Sequence, residues 1–222
     1  MTDSKNNQVC IVCPSPAAAF FITADGRDYY RCPVCRATFL DPAHRMPRER
    51  EYERYRQHRN HPDDPAYRAF LSRLAIPFLE VLSDGQSGLD YGCGSGAALA
   101  EILKEAGHQV ELYDPLFYPD RRVLEQTYDF ITCTETAEHF HQPAAEFTGF
   151  DRLLRPGGRL AVMTCFQTDD AAFVDWYYRR DPTHVVFYRE ETLRFIAAGL
   201  GWSCRFPVKD VVLMQKPSSG KD

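Results

Sequence analysis

Three groups of residues have types and spacings that can do chemistry. The first is Gly88-Leu89-Asp90-Tyr91-Gly92-Cys93-Gly94-Ser95-Gly96, where an apolar run ends in an acid followed by three glycines at alternate positions. Such glycines let the backbone turn sharply and approach a ligand, and the helix that follows aims its free N–H groups at the same spot. The second is a duplicated pair, Cys10-Ile-Val-Cys13 and Cys32-Pro-Val-Cys35, separated by eighteen residues. Two such pairs suit one tetrahedral zinc ion, two thiolates from each knuckle. The third is a collection of acids and imidazoles. Glu135, Glu138 and His139 follow an apolar run, and His184 lies in an aromatic stretch with Trp176, Tyr177, Tyr178, Phe187 and Tyr188, which is expected to cover a substrate pocket, the alternative being that it closes the sheet's end.

The glycine loop suits either of two cofactor classes. A dinucleotide fingerprint would place its third glycine one residue later, where this chain has Ala97, and would hold a pyrophosphate. Asp90 argues against that use, because a carboxylate there repels a dianion but attracts the ammonium and sulfonium charges of S-adenosylmethionine. Asp114 ends the next apolar run, eighteen residues after Gly96, where an acid accepts hydrogen bonds from ribose hydroxyls. Both classes carry such an acid, so Asp114 indicates a nucleoside cofactor without choosing between them.

These groups need a scaffold, and the pattern around them is α/β. Phe70, Leu74, Phe78 and Val81 form a helical stripe interrupted by Pro77; Leu99, Ile102, Leu103 and Ala106 form another, closed by Gly107. Val110–Tyr113 and Tyr128–Glu135 read as strands, and acids and a histidine collect at the carboxyl end of the second. That edge is where open parallel sheets bind ligands. Phe147, Phe150 and Leu154 mark a helix, and Leu154-Arg155-Pro156-Gly157-Gly158 turns into another strand. A last helix runs through Leu193, Ile196, Ala197 and Leu200, and 202–206 and 210–215 read as two antiparallel closing strands. In front, Phe20-Phe21-Ile22, Asp25-Gly26 and Tyr29-Tyr30 read as a hairpin between the cysteine pairs. The expected division is a zinc ribbon over 1–41, a linker over 42–65, the α/β domain over 66–217 and a disordered tail over 218–222.

Taken in order, these motifs resemble the class I S-adenosylmethionine-dependent methyltransferases over about Ala66 to Lys216. Asp90–Gly96 resembles the family's first motif. Tyr128–Phe140 resembles the fourth-strand motif of members acting on quinones, sugars and other small molecules, in which Glu-His often follows the strand, and Leu154–Thr164 resembles the turn into the fifth strand. The ribbon resembles a module found before the catalytic domain in some bacterial methyltransferases. Among these, sugar C-methyltransferases carry a further C-terminal domain for which this chain is too short, and a ribosomal RNA guanine methyltransferase is expected to be more basic. Small ribbon-bearing bacterial members share the segment Asp181-Pro-Thr-His-Val185. The resemblance implies a Rossmann-like sheet with helices on both faces, and S-adenosylmethionine held by Asp90, Gly92, Gly94, Gly96 and Asp114 with Glu135 at its methionine end. It also implies a structural zinc on Cys10, Cys13, Cys32 and Cys35.

Methyl transfer is an in-line displacement at an activated carbon, so the protein must position a nucleophile and remove its proton. His139 and His184 are the two candidates for that base, with Glu138 to orient the imidazole and Tyr188 to contact substrate. The net charge of −5 disfavours a general nucleic-acid binder. Between Arg36 and Arg59, however, seven arginines face four acids beside Tyr52 and Tyr55, which suits a solvated helix or, alternatively, an anionic substrate. A small-molecule acceptor is the leading expectation. An RNA or protein acceptor directed by the ribbon, and a non-catalytic cofactor-binding module, are the alternatives. The polar start and the lack of a membrane-length apolar run predict a cytoplasmic protein without membrane contact.

Overall fold

A computed structural model describes residues 6–56 and 61–218. His58, near the expected cofactor cover, lies outside the described residues. The hairpin expected between the cysteine pairs is present as β1 (Ala19–Ala24) and β2 (Arg27–Arg31). Its two-residue turn works because Asp25 and Gly26 both take left-handed φ, 49° and 71°. A third strand, β3 (Thr38–Leu40), pairs antiparallel with β2 and is buried along its whole length.

Within residues 42–65, expected to be a linker, the described residues form helical elements. A 3-10 turn over Pro42–His44 leads to α1 (Arg48–Tyr55). Asp64 then caps α2 (Pro65–Leu79), accepting hydrogen bonds from the backbone N–H of Ala66 and Tyr67, with Pro65 at the first helical position. Pro77 does not split this helix. It falls in the last turn, so the helix loses one bond, to the Arg73 carbonyl, with only two residues beyond it to be displaced, and the buried face is Leu71, Leu74, Ala75, Pro77 and Phe78.

The larger sheet starts with β4 (Ser87–Tyr91), followed by α3 (Ala98–Glu105), β5 (Gln109–Tyr113) and β6 (Tyr128–Thr134). Between β5 and β6 the chain forms a 3-10 turn, Arg121–Glu125, so the strand that resembled a fourth-strand motif is the third of this sheet. Then come α4 (Pro143–Leu153), β7 (Leu154–Met163), α5 (Tyr177–Arg180), β8 (Val186–Phe187), α6 (Glu190–Gly199), β9 (Ser203–Arg205) and β10 (Val211–Gln215). The order is β5-β4-β6-β7-β10-β9. The first four strands are parallel, β10 is antiparallel to β7, and β9 is antiparallel to β10 as expected.

The short strand β8 belongs to the other sheet, where it pairs antiparallel with β3 to give the order β1-β2-β3-β8. The aromatic stretch expected to cover a substrate is instead used here. Phe173, Tyr178, Val185 and Phe187 form a core with Ala24, Tyr29 and Leu40 of the ribbon. Arg179, fully buried, spans the same joint, donating to Asp25 at 2.6 Å and to the carbonyls of Phe173 and Val174. Asp170 adds ion pairs to Arg31 of β2 and to Arg189 at the start of α6.

Gly88 sets the depth of the larger sheet's core. A Cβ there would lie 2.0 Å from Cε2 of Phe130, whose ring is held edge-on by Phe78 and His108 at 5.6 and 5.5 Å. Gly88→Ala is therefore expected to overpack the core by about 1–3 kcal/mol. A urea midpoint unchanged from wild type would contradict this account.

Candidate active site

The cavity of about 640 Å³ lies at the carboxyl ends of β4, β5 and β6, within the size range of sites for small organic ligands. Its floor is the glycine loop. Gly92 and Gly94 take φ of 75° and 63°, and a Cβ on Gly92 would meet Thr136 at 2.2 Å, so this position needs glycine on both counts. Ala97, left-handed at φ 45°, turns the loop into α3. Gly92 N–H donates to Tyr113 O at 2.7 Å, and the Thr136 hydroxyl donates to Gly92 O at 3.1 Å, tying the loop to both neighbouring strands.

Two carboxylates flank this loop. Asp90 is almost wholly buried and accepts the Thr132 hydroxyl at 2.8 Å; burial pushes its carboxyl up to about 6, against the pull of that hydrogen bond. Asp114 accepts Gly94 N–H at 3.1 Å on one oxygen and the N–H groups of Leu116 and Phe117 at 2.8 and 3.0 Å on the other. Both line the cavity, as do Gly92, Gly94 and Glu135; Gly96 is set back from it. Glu135 has a left-handed backbone, φ 47°, unusual for a residue with a side chain, and such strain gathers at functional sites. Burial and then the neighbouring Glu138 and Asp210 raise its carboxyl to about 9.

The residues expected to do proton chemistry are placed differently. His139 lines the cavity, but its Nδ1 donates to Thr183 O at 3.0 Å and its Nε2 is turned towards Glu138, 3.8 Å from Oε1. His184 stacks edge-on against His139 at 4.7 Å, outside the cavity lining, and donates from Nδ1 to Tyr178 O at 2.7 Å. Burial lowers its imidazole to about 4. Glu138 is fully buried and accepts the Thr164 hydroxyl at 2.8 Å. Tyr188 is fully buried too, its hydroxyl donated to Ala137 O at 3.0 Å, so it does not reach a substrate.

The opposite wall comes from α1, which the sequence did not mark as part of the site. Arg54 clamps α1 to Asp181 through two hydrogen bonds of 3.0 and 3.2 Å. Burial alone would raise the Asp181 carboxyl, yet these bonds and those from Thr183 hold it well below the usual range. Glu51 turns inward, its Oε1 3.4 Å from His141 Nε2, and Tyr55 packs edge-on to His139 at 5.2 Å. Glu51, Tyr52, Tyr55 and His141 all line the cavity. The signal available in the sequence was the pairing of tyrosines with charge at 48–55; His141 carried none.

The four ribbon cysteines are buried, free and clustered. Sγ separations are 3.6 Å for Cys10 with Cys35 and 3.5 Å for Cys13 with Cys32. Four thiolates about 2.3 Å from one zinc would stand ~3.8 Å apart, so the cluster fits that ion closely. The backbone N–H groups of Val12 and Cys13 point at Cys10 Sγ at 3.4 Å, as a knuckle requires.

A family model described as a methyltransferase domain matches residues 52–205, more than half of the chain. The chain belongs to the methyltransferase domain family. Family members similar to it include ubiquinone biosynthesis O-methyltransferases from Xanthomonas oryzae, at 31% identity, and from Proteus mirabilis, at 26%. These alignments cover 46% and 47% of this chain and 53% of each relative, so the chain spans about half the length of the curated relatives it matches. Among solved structures, the 1,6-didemethyltoxoflavin-N1-methyltransferase of Burkholderia thailandensis superposes with a TM-score of 0.50 at 18% identity, covering 90% of this chain and 99% of that one. An O-methyltransferase family protein from the same organism gives 0.51 at 19%, covering 77% and 64%. The expected class I fold is thus present, and the family match begins inside α1.

Asp90 makes the ligand-free protein pH-sensitive. Because its native carboxyl titrates near 6 against 3.8 when exposed, the protonated form favours folding: this contribution is full below about pH 4 and is lost as pH rises through 6. Asp90→Asn should flatten that segment, so the stability of the variant relative to wild type should rise from pH 4 to pH 6.5. Parallel urea-midpoint profiles for the two proteins would show that Asp90 does not titrate in this way.

Proposed function

We propose that this protein is an S-adenosylmethionine-dependent methyltransferase acting on a small molecule. The observation that carries the reading is the cavity itself. One half is a glycine loop between two acids, suited to a nucleoside and to cationic groups. The other half is walled by Tyr52 and Tyr55 of α1 and by Phe140, suited to a planar acceptor. Asp114 would take the ribose hydroxyls, Asp90 would favour the cationic end of the cofactor through its ionised form near pH 7, and Glu135 would face the methionine group. The ubiquinone-biosynthesis relatives, O-methyltransferases by name, support a small hydroxylated acceptor.

The base in this reading is His141 rather than His139 or His184. Both of those histidines have Nδ1 committed to a carbonyl, and the His139 Nε2 faces a buried carboxylate. His141 holds Nε2 3.4 Å from Glu51 Oε1, an arrangement in which Nδ1 is the nitrogen that would receive the acceptor's proton. The ribbon's role is structural: four thiolates complete a zinc tetrahedron and leave no open position for catalysis.

Three measurements test the reading. Calorimetric titration with S-adenosylmethionine should show binding that Asp114→Ala weakens by about 10- to 100-fold, the worth of hydrogen bonds to a charged group. Tighter binding of a nicotinamide dinucleotide would overturn it. Incubation with methyl-labelled cofactor and fractionated cell extract should place label in a small metabolite; label in RNA or protein would replace the acceptor class. With the acceptor in hand, His141→Gln should lower single-turnover methylation at least about a hundredfold without changing cofactor affinity. A wild-type rate in that variant would remove His141 from the mechanism.

A further inference from the structure

Behind the cavity wall three acceptor groups converge. His139 and His184 each give Nδ1–H to a backbone carbonyl, Thr183 O at 3.0 Å and Tyr178 O at 2.7 Å. A carbonyl cannot donate, so both rings are fixed in the tautomer whose Nε2 carries a free lone pair. Glu138 Oε2 is occupied by the Thr164 hydroxyl, while its Oε1 is fully buried without a hydrogen-bond partner and faces His139 Nε2 at 3.8 Å. A donor atom from each of the three residues lies within 4.8 Å of the others. Acceptors gathered where Glu138 and His184 are buried and His139 is part-buried are costly unless a donor or a cation joins them.

We propose that Glu138, His139 and His184 bind a divalent transition-metal ion, at a site separate from the four-cysteine cluster. Two imidazoles and one carboxylate select zinc, manganese, iron or cobalt over magnesium and calcium, which prefer all-oxygen sites. Each ligand already has the outer partner that fixes a metal-bound side chain: a carbonyl on each imidazole Nδ1 and a hydroxyl on the carboxylate. Tetrahedral binding with metal–nitrogen bonds near 2.0–2.1 Å needs donors ~3.3 Å apart, so closure from the separations seen is within reach of small side-chain rotations.

The ion's place in the fold gives its role. Glu138 and His139 belong to the turn after β6, at the cavity's edge, and His184 belongs to the loop that enters β8. The backbone already joins these segments once, through Val185 N–H to Glu138 O at 2.9 Å. A bound ion would brace the cavity edge against the strand that completes the ribbon sheet. Of the three ligands only His139 lines the cavity, so the ion acts as a brace rather than as a group that meets substrate.

The test is a metal count on the intact protein, after saturation with zinc and passage over a desalting column. Wild type should hold two zinc ions per chain, while Glu138→Gln and His184→Asn should each hold one. Cobalt-loaded variants should keep the thiolate charge-transfer bands of the four-cysteine site, which shows that they remain folded around it. One zinc per chain in wild type overturns the proposal, as does a count of two in both variants. Displacement of the second ion by millimolar magnesium would also overturn it, because it would place the ion on oxygen ligands. The proposal does not depend on the methyltransferase reading, since neither the count nor the bands involve turnover.

Discussion

Everything on the ribbon side of this molecule depends on the two-residue pairing of β3 with β8. A four-cysteine knuckle of some thirty residues has too little chain to bury a core of its own, and such modules usually rely on metal. Here it also borrows. Thr38 and Phe39 pair with Phe187 and Val186, and the cysteines and Phe39 pack in the same apolar cluster as Leu89 and Ile131 of the larger sheet. The knuckle carbonyl of Ile11 accepts Ala144 N–H from the first turn of α4. Two turns of helix are thereby fixed on which Glu146 takes the Tyr91 hydroxyl at 2.7 Å. A contact path therefore runs from the cysteine knuckle to the lip of the glycine loop, and loosening the ribbon would loosen the cavity.

The same joint explains what was readable in the sequence. The glycine loop, Asp114 and the strand before Glu135 were legible because local backbone constraints dictate them: left-handed turns need glycine, and a parallel strand ends where its ligand groups begin. The cysteine pairs were legible because ligand spacing is a property of the chain alone. The aromatic stretch from Phe173 to Tyr188 was read in the wrong place because composition reports only that it needs burial. Whether the partner is a substrate or the far side of a ribbon is decided by long-range pairing, here β8 with β3.

Residues 42–65 failed for a related reason. Charge and proline gave them the look of a linker, yet α1 is held by contacts 90 to 127 positions away in sequence, Glu51 to His141 and Arg54 to Asp181. Neither partner is visible from the helix itself. His139 shows the opposite error. Its position after the strand was read correctly, but a base needs a nitrogen aimed at the acceptor, and ring orientation is set by Thr183 and Glu138, which only the fold brings together.

The cavity's charge state ties these parts together. Asp90 and Glu135 are carboxyls held largely away from water, and both are displaced towards their neutral forms in the ligand-free protein, to about 6 and about 9. Holding them there opposes folding, since each would ionise more readily in the unfolded chain. A ligand with positive charge placed between them reverses that balance, because it favours the ionised forms that burial disfavours. An anionic ligand is repelled by the ionised forms of these acids. In the proposed reading, the unfavourable electrostatics around these two acids become selectivity for a cation, which is the property that would separate a sulfonium cofactor from a pyrophosphate-bearing one on the same glycine loop.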